Sequence, residues 1–252
     1  MRIGPHIISA IVLSSLLAAP ALSNIIGVGV SGNVYGDAEV QFPCSNPFPF
    51  PFFCEDDSPF SNTSSQTGYG MYSLAGGAID GLGVSGVNAQ ETAELTPSSF
   101  KLDLLTSAGY GGVVNTVVSD SASSTLTLSF ELTEQSVLDL SGALTPQCFA
   151  FAPYFCSTGE SIVLSGPGFD FSTFVNGAVD TSAILGPGAY TLTAFSNAGV
   201  SSVQLMSEST EEVSLDAKFT PMPEPRWAAV SLMPILLLVA VWRRWMRARH
   251  TA

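Results

Sequence analysis

Residues 24–220 predict an antiparallel β-sandwich, and three observations carry that expectation. Apolar and polar residues alternate along short runs, the period-two signature of half-buried strands. Turns bearing glycine and proline separate the runs. Long helical periodicity is absent from the same stretch, which is rich in Ser, Thr, Gly, Ala, Val and Leu. It is long enough for one large core or two small ones, with 24–120 and 121–220 as a candidate subdivision.

Ahead of the sandwich, residues 1–23 read as a secretory signal peptide. Arg2 gives a basic start, Ile7–Ala19 is apolar, and Ala21 and Ser23 supply the small residues for cleavage after Ser23. Cleavage after Ala21 fits as well. The apolar run is short for a membrane span.

The strands follow in order. Asn33 to Phe42, Gly68 to Leu74, Phe100 to Leu105 and Gly112 to Val118 come first. The clearest runs from Thr125 to Thr133. It sets Leu126, Leu128, Phe130 and Leu132 on one face and Thr127, Ser129 and Glu131 on the other. Ser136–Leu140, Ser161–Leu164, Ala189–Phe195 and Val213–Phe219 complete the set. Turn signals stand at Ser107–Gly109, Thr145–Pro146, Gly166–Gly168 and Gly186–Gly188.

The end of the chain, 221–252, has three parts: Pro223-Glu224-Pro225, an apolar run over 227–242, and a basic tail with Arg243, Arg244, Arg247 and Arg249. As a helix the run spans about 24 Å, short of the roughly 30 Å hydrocarbon core of a membrane. Pro234 weakens it further. Trp227 and Trp242 fit the two interfaces, and the arginines hold the tail on the cytoplasmic side of the inner membrane.

This order of parts resembles the PEP-CTERM sorting signal of exported bacterial proteins. The resemblance implies a Gram-negative host and recognition by an exosortase, a membrane cysteine protease or transpeptidase. It also implies association with exopolysaccharide and biofilm matrix. The protein would be anchored transiently by its helix, then cut and left at the cell surface or outside. A permanent single-span anchor in the envelope is the alternative. Phe130 to Phe219 also resembles a module found just before such tails: Val137-Leu-Asp-Leu-Ser-Gly142, a long loop, Leu185-Gly-Pro-Gly-Ala-Tyr-Thr-Leu192 and a closing strand. That second resemblance implies a jelly-roll-like sandwich and no activity of its own.

Charge and histidine content narrow the chemistry. The body holds all of the 21 acidic residues except Glu224, against only Lys101 and Lys218 as strong cations. Such a surface cannot neutralise phosphates, so nucleic acid is not an expected partner. The two histidines, His6 and His250, lie in the terminal segments. Serine or cysteine triads and histidine-ligated zinc are therefore not expected in the body. Hydrolysis of glycosides by a carboxylate pair survives this elimination, since it needs only two acids at the right separation. The expectation remains a non-enzymatic protein. No cofactor is expected beyond calcium, for which Glu55, Asp56 and Asp57 are the candidates because calcium takes hard oxygen ligands. A solvated acidic loop is the competing reading.

The four cysteines form two close pairs, Cys44/Cys54 and Cys148/Cys156. Export favours disulfides, and local pairing is the simplest of the three connectivities. Each bridge would contribute about 2.5 to 3 kcal/mol by loop closure. Both loops are aromatic: Phe48, Phe50, Phe52 and Phe53 in the first, Phe149, Phe151, Tyr154 and Phe155 in the second. Together they hold eight of the 25 aromatic residues. Two readings compete. The loops either plug an open end of the sandwich or project an aromatic patch toward sugars or another surface protein.

Overall fold

The structure is a computed structural model that describes residues 25–43, 53–80, 85–111, 116–150, 155–174, 176–203, 206–222 and 242. The expected signal peptide 1–23, the motif Pro223-Glu224-Pro225 and the arginines Arg243, Arg244, Arg247 and Arg249 lie outside these residues. So does the run 227–242, apart from Trp242. Among the described residues no helix is long and apolar enough to cross a membrane.

Twelve strands make up the described body. They are β1 (Ile25–Pro43), β2 (Phe53–Thr67), β3 (Gly70–Ile79), β4 (Ser85–Thr96), β5 (Ser99–Tyr110), β6 (Val117–Leu132), β7 (Ser136–Ala150), β8 (Phe155–Gly166), β9 (Phe169–Thr173), β10 (Gly177–Leu185), β11 (Gly188–Val203) and β12 (Ser207–Pro221). The first sheet runs β2-β1-β6-β11-β8-β9 and the second β10-β7-β12-β5-β4-β3, with antiparallel pairing throughout. The expected antiparallel sandwich is therefore present. From β5 onward the pairs nest: β5 with β12, β6 with β11, β7 with β10, β8 with β9. This is one long hairpin rolled across two sheets, the connectivity of a jelly roll. β1 and β2 extend one sheet beyond β6, and β3 and β4 extend the other beyond β5.

The rolled connectivity gives the sandwich two unlike ends. At one end, here the base, short turns join β2 to β3, β4 to β5, β6 to β7, β8 to β9 and β10 to β11. The Gly166–Gly168 and Gly186–Gly188 signals are both turns there, and Gly168 takes the left-handed φ of 69° that favours glycine. Ile25 and Pro221 lie in register with Leu132 and Ser136, so the described body begins and ends at the base. At the other end, the rim, lie the ends of β1, β3, β5, β7 and β11 and the starts of the strands that follow them.

The core is graded along this axis. Inward residues of β12 read Ser207, Ser209, Glu211, then Val213, Leu215, Ala217 and Phe219 from rim to base, all buried. On β6, Val118 at the rim is followed by Asp120, Ala122 and Ser124, which give way to Leu126, Leu128, Phe130 and Leu132. The base half is close-packed apolar core, with Phe130 between Phe100, Phe219 and Tyr190. The rim half packs small residues, Val34, Ala38, Ala89, Ala108 and Ala122.

Several boundaries differ from the sequence expectation. Thr145–Pro146 is no turn: Pro146 lies within β7, opposite Glu211. β10 stops pairing at Leu144, so beyond it only one side of β7 is bonded, and proline costs no ladder bond on the open side. Ser107–Gly109 likewise lies inside β5. The strand expected over Gly112–Val118 starts only at Val117 in β6, and 112–115 lie outside the described residues. β2, β4, β9 and β10 were not expected. The acidic stretch Glu55–Asp57, read as a loop, is part of β2.

Candidate functional site

The rim carries Cys54, Cys148, Cys156, Phe53, Phe149, Phe155 and the acidic stretch Glu55–Asp57. Cys148 on β7 is bonded to Cys156 on β8, as local pairing predicts, with 5.9 Å between their Cα atoms. These strands belong to different sheets. The bridge therefore closes a loop and staples the two sheets together at the rim. Cys54 is disulfide-bonded as well. Its expected partner Cys44 lies outside the described residues, as do Phe48, Phe50, Phe52, Phe151 and Tyr154. Phe53 opens β2 opposite Pro43. Phe149 and Phe155 flank the bridge and stand 56% and 76% exposed. β1 ends and β8 begins at the same rim three strand positions apart, roughly 14 Å at normal strand spacing.

Glu55, Asp56 and Asp57 do not converge. Strand alternation places Glu55 and Asp57, paired with Gln41 and Glu39, on the face opposite to Asp56, which pairs with the buried Val40. Among the described residues no group of three or more acidic, histidine or cysteine side chains is placed to hold a metal ion.

The sequence reading missed the interior of the rim half. There the two sheets are joined by hydrogen bonds. Ser124 donates to Glu91 at 2.9 Å, Ser85 to Asp120 at 3.1 Å and Ser209 to the Ser157 carbonyl at 2.9 Å, while Thr106 and Ser196 share a bond of 2.8 Å. Three buried carboxylates take part in this layer. Glu91, Asp120 and Glu211 are 0%, 2% and 0% exposed. Both oxygens of Glu211 lack a hydrogen-bond partner, as does Asp120 Oδ2.

Burial disfavours the charged form of each. The Glu211 carboxyl is pushed up to about 8, first by burial and then by Glu160 across the sheets. With one proton between them, these two acids can share it as a hydrogen bond. Asp120 is pushed up to about 7 by burial, against hydrogen bonds from Ser85 and the Glu39 amide that favour its charged form. Asp37 is raised to about 6, first through its hydrogen bond with Asp57 and then by burial. A period-two reading of Ser85–Thr96 could have found Glu91, since Val87, Ala89, Ala93 and Leu95 share its buried face.

No family model and no curated protein matches the chain. Among solved structures it is similar to the VP2 subviral particle of infectious bursal disease virus. That likeness has 11% identity, covers 89% of this chain and 75% of that one, and has a TM-score of 0.18. A superposition that low carries no argument about fold or function.

Proposed function

We propose that this chain is an exported surface or matrix protein of non-enzymatic, adhesive or scaffolding role. In this reading an exosortase recognises residues 221–252 at the inner membrane and cuts near Pro223-Glu224-Pro225. The body is then left at the cell surface or in exopolysaccharide. One observation carries the reading: the first and last strands of the body begin and end at the base of the sandwich, and the disulfide-stapled aromatic strand ends lie at the opposite rim. A body held by its C-terminal segment would turn that rim outward. The strongly acidic surface favours solubility and repels anionic surfaces.

Mass spectrometry of the mature C-terminus, with and without the exosortase and alongside cell fractionation, tests it. Loss of the arginine tail only when the protease is present supports sorting. A tail retained in both strains points to a permanently anchored envelope protein and overturns it.

A second reading, carbohydrate binding by the aromatic loops, is favoured by the exposure of Phe149 and Phe155 beside the bridge. Glycan-array binding lost on Phe155→Ala supports it. Binding unchanged by that substitution counts against it.

A further inference from the structure

Near the rim, one outward-facing residue from each of five strands of the second sheet falls in a single row. The row reads Phe149 (β7), Glu208 (β12), Gly109 (β5), Gly86 (β4) and Ile79 (β3). The next outward row toward the base reads Gln147, Thr210, Ser107, Asn88 and Gly77. Two adjoining hollows follow these rows. One of about 390 Å³ reaches from Phe149 and Met206 to Gly86, and one of about 590 Å³ from Ser107 to Ile79.

Two glycines make the floor, and the fold does not require either of them. A Cβ at Gly86 would meet nothing closer than the Ala78 carbonyl oxygen at 3.4 Å, and one at Gly109 nothing closer than that of Ser207 at 3.9 Å. Neither has a left-handed backbone. Glycine weakens a strand, and inside one it often marks a place where a ligand or another chain comes close. Here two lie directly opposite each other, and the row's ends rise above them as exposed Phe149 and Ile79.

The lining indicates the ligand. Five strands span roughly 19 Å, which suits an extended chain lying across them with about one ring per strand. Phe149, 56% exposed, adds apolar ring surface at one end of the row. Gln147 and Asn88 offer amides, and Thr210 and Ser107 hydroxyls, all able to pair with ring hydroxyls. Glu208 in the row and Glu212 two outward positions further toward the base add negative charge to a chain of net −13, so an acidic polymer is repelled.

We propose that this row is a binding groove for a neutral polysaccharide, laid across the strands from Phe149 to Ile79. The proposal deepens the surface-protein reading and rests on it for access to extracellular glycan.

Affinity electrophoresis of the full chain in mild detergent tests it. The gels contain dextran, galactomannan or mixed-linkage β-glucan, with polygalacturonate as the acidic control. At least one neutral polymer retards the protein. Gly109→Phe, which fills the floor, and Phe149→Ala weaken that retardation at least tenfold while circular dichroism and melting stay as in the parent. Gly86→Gln serves in the same way if Gly109→Phe does not fold. Retardation by no neutral polymer, by polygalacturonate alone, or equally in the folded floor variants overturns the groove. C-terminal processing and fractionation are read on the same variants. Correct sorting without retardation sinks the groove alone, and retardation without sorting sinks the surface reading alone.

Discussion

Ser124 of the first sheet donates a 2.9 Å hydrogen bond to Glu91 Oε2 of the second, and Tyr72 donates to Oε1 at 3.0 Å. A fully buried carboxyl is thereby satisfied from both sides. Burial raises its pKa, and the two hydrogen bonds oppose the rise. The carboxyl occupies space that Gly32 leaves open: a Cβ there would lie 1.3 Å from Oε1. Gly32→Ala is expected to cost about 1–3 kcal/mol as overpacking, and Glu91→Ala about 2–4 kcal/mol as a cavity with orphaned hydroxyls. Because one change removes the other's clash, the double variant should fall short of the sum by roughly 1–2 kcal/mol. Urea unfolding of the four proteins measures this, and strict additivity would contradict the contact.

Stability should fall as pH rises. Glu211, Asp120 and Asp37 are raised to about 8, 7 and 6 in the folded chain, against about 4 in the unfolded one. The folded state therefore holds protons that the unfolded state releases. Their contribution is complete below pH ~4 and is lost progressively up to pH ~8. Calorimetry should give a lower Tm at pH 8 than at pH 5. Glu211→Gln should flatten that slope and raise Tm at pH 8 by roughly 2–4 °C. A Tm that climbs from pH 5 to pH 8 would reject this account.

Reduction of the rim staple should be felt globally. Cys148→Ser with Cys156→Ser removes a bridge between strands of different sheets. The expected loss is about 2.5 kcal/mol, or roughly 5–10 °C in Tm. Melting both proteins in reductant, which also opens the Cys54 bridge, should bring the parent and the double variant to the same Tm.

The base should be the less forgiving half. Phe130 sits with ring centres 5.7 Å from Phe100, 5.3 Å from Phe219 and 5.6 Å from Tyr190. Phe130→Ala should cost about 3–5 kcal/mol. Phe155→Ala, at the exposed rim, should stay within about 0.5 kcal/mol. Equal losses in denaturant titration would mean that the core is not graded as described.

The legible parts of the fold were the strands with apolar inner columns. Leu126, Leu128, Phe130 and Leu132 announce β6, and all four are buried. β4 was hidden because a carboxylate, Glu91, interrupts the inner column of Val87, Ala89, Ala93 and Leu95, although the period of two is otherwise present there. β2 was hidden because, as an edge strand, it is polar along most of its length and carries Pro59. Turn residues misled where the context was edge-like: Pro146 reads as a stop, yet it sits where β10 no longer pairs with β7.

The sequence by itself determined the class of fold, two close cysteine pairs whose simplest connectivity is local, and the absence of histidine from the body. Each follows from local period, spacing or composition. Only the tertiary structure decided that the bridge joins two sheets, that Glu91, Asp120 and Glu211 lie inside, and that Gly86 faces Gly109 across an open floor. Those relations link residues far apart in the chain, and rolling one long hairpin over two sheets is what brings them into register.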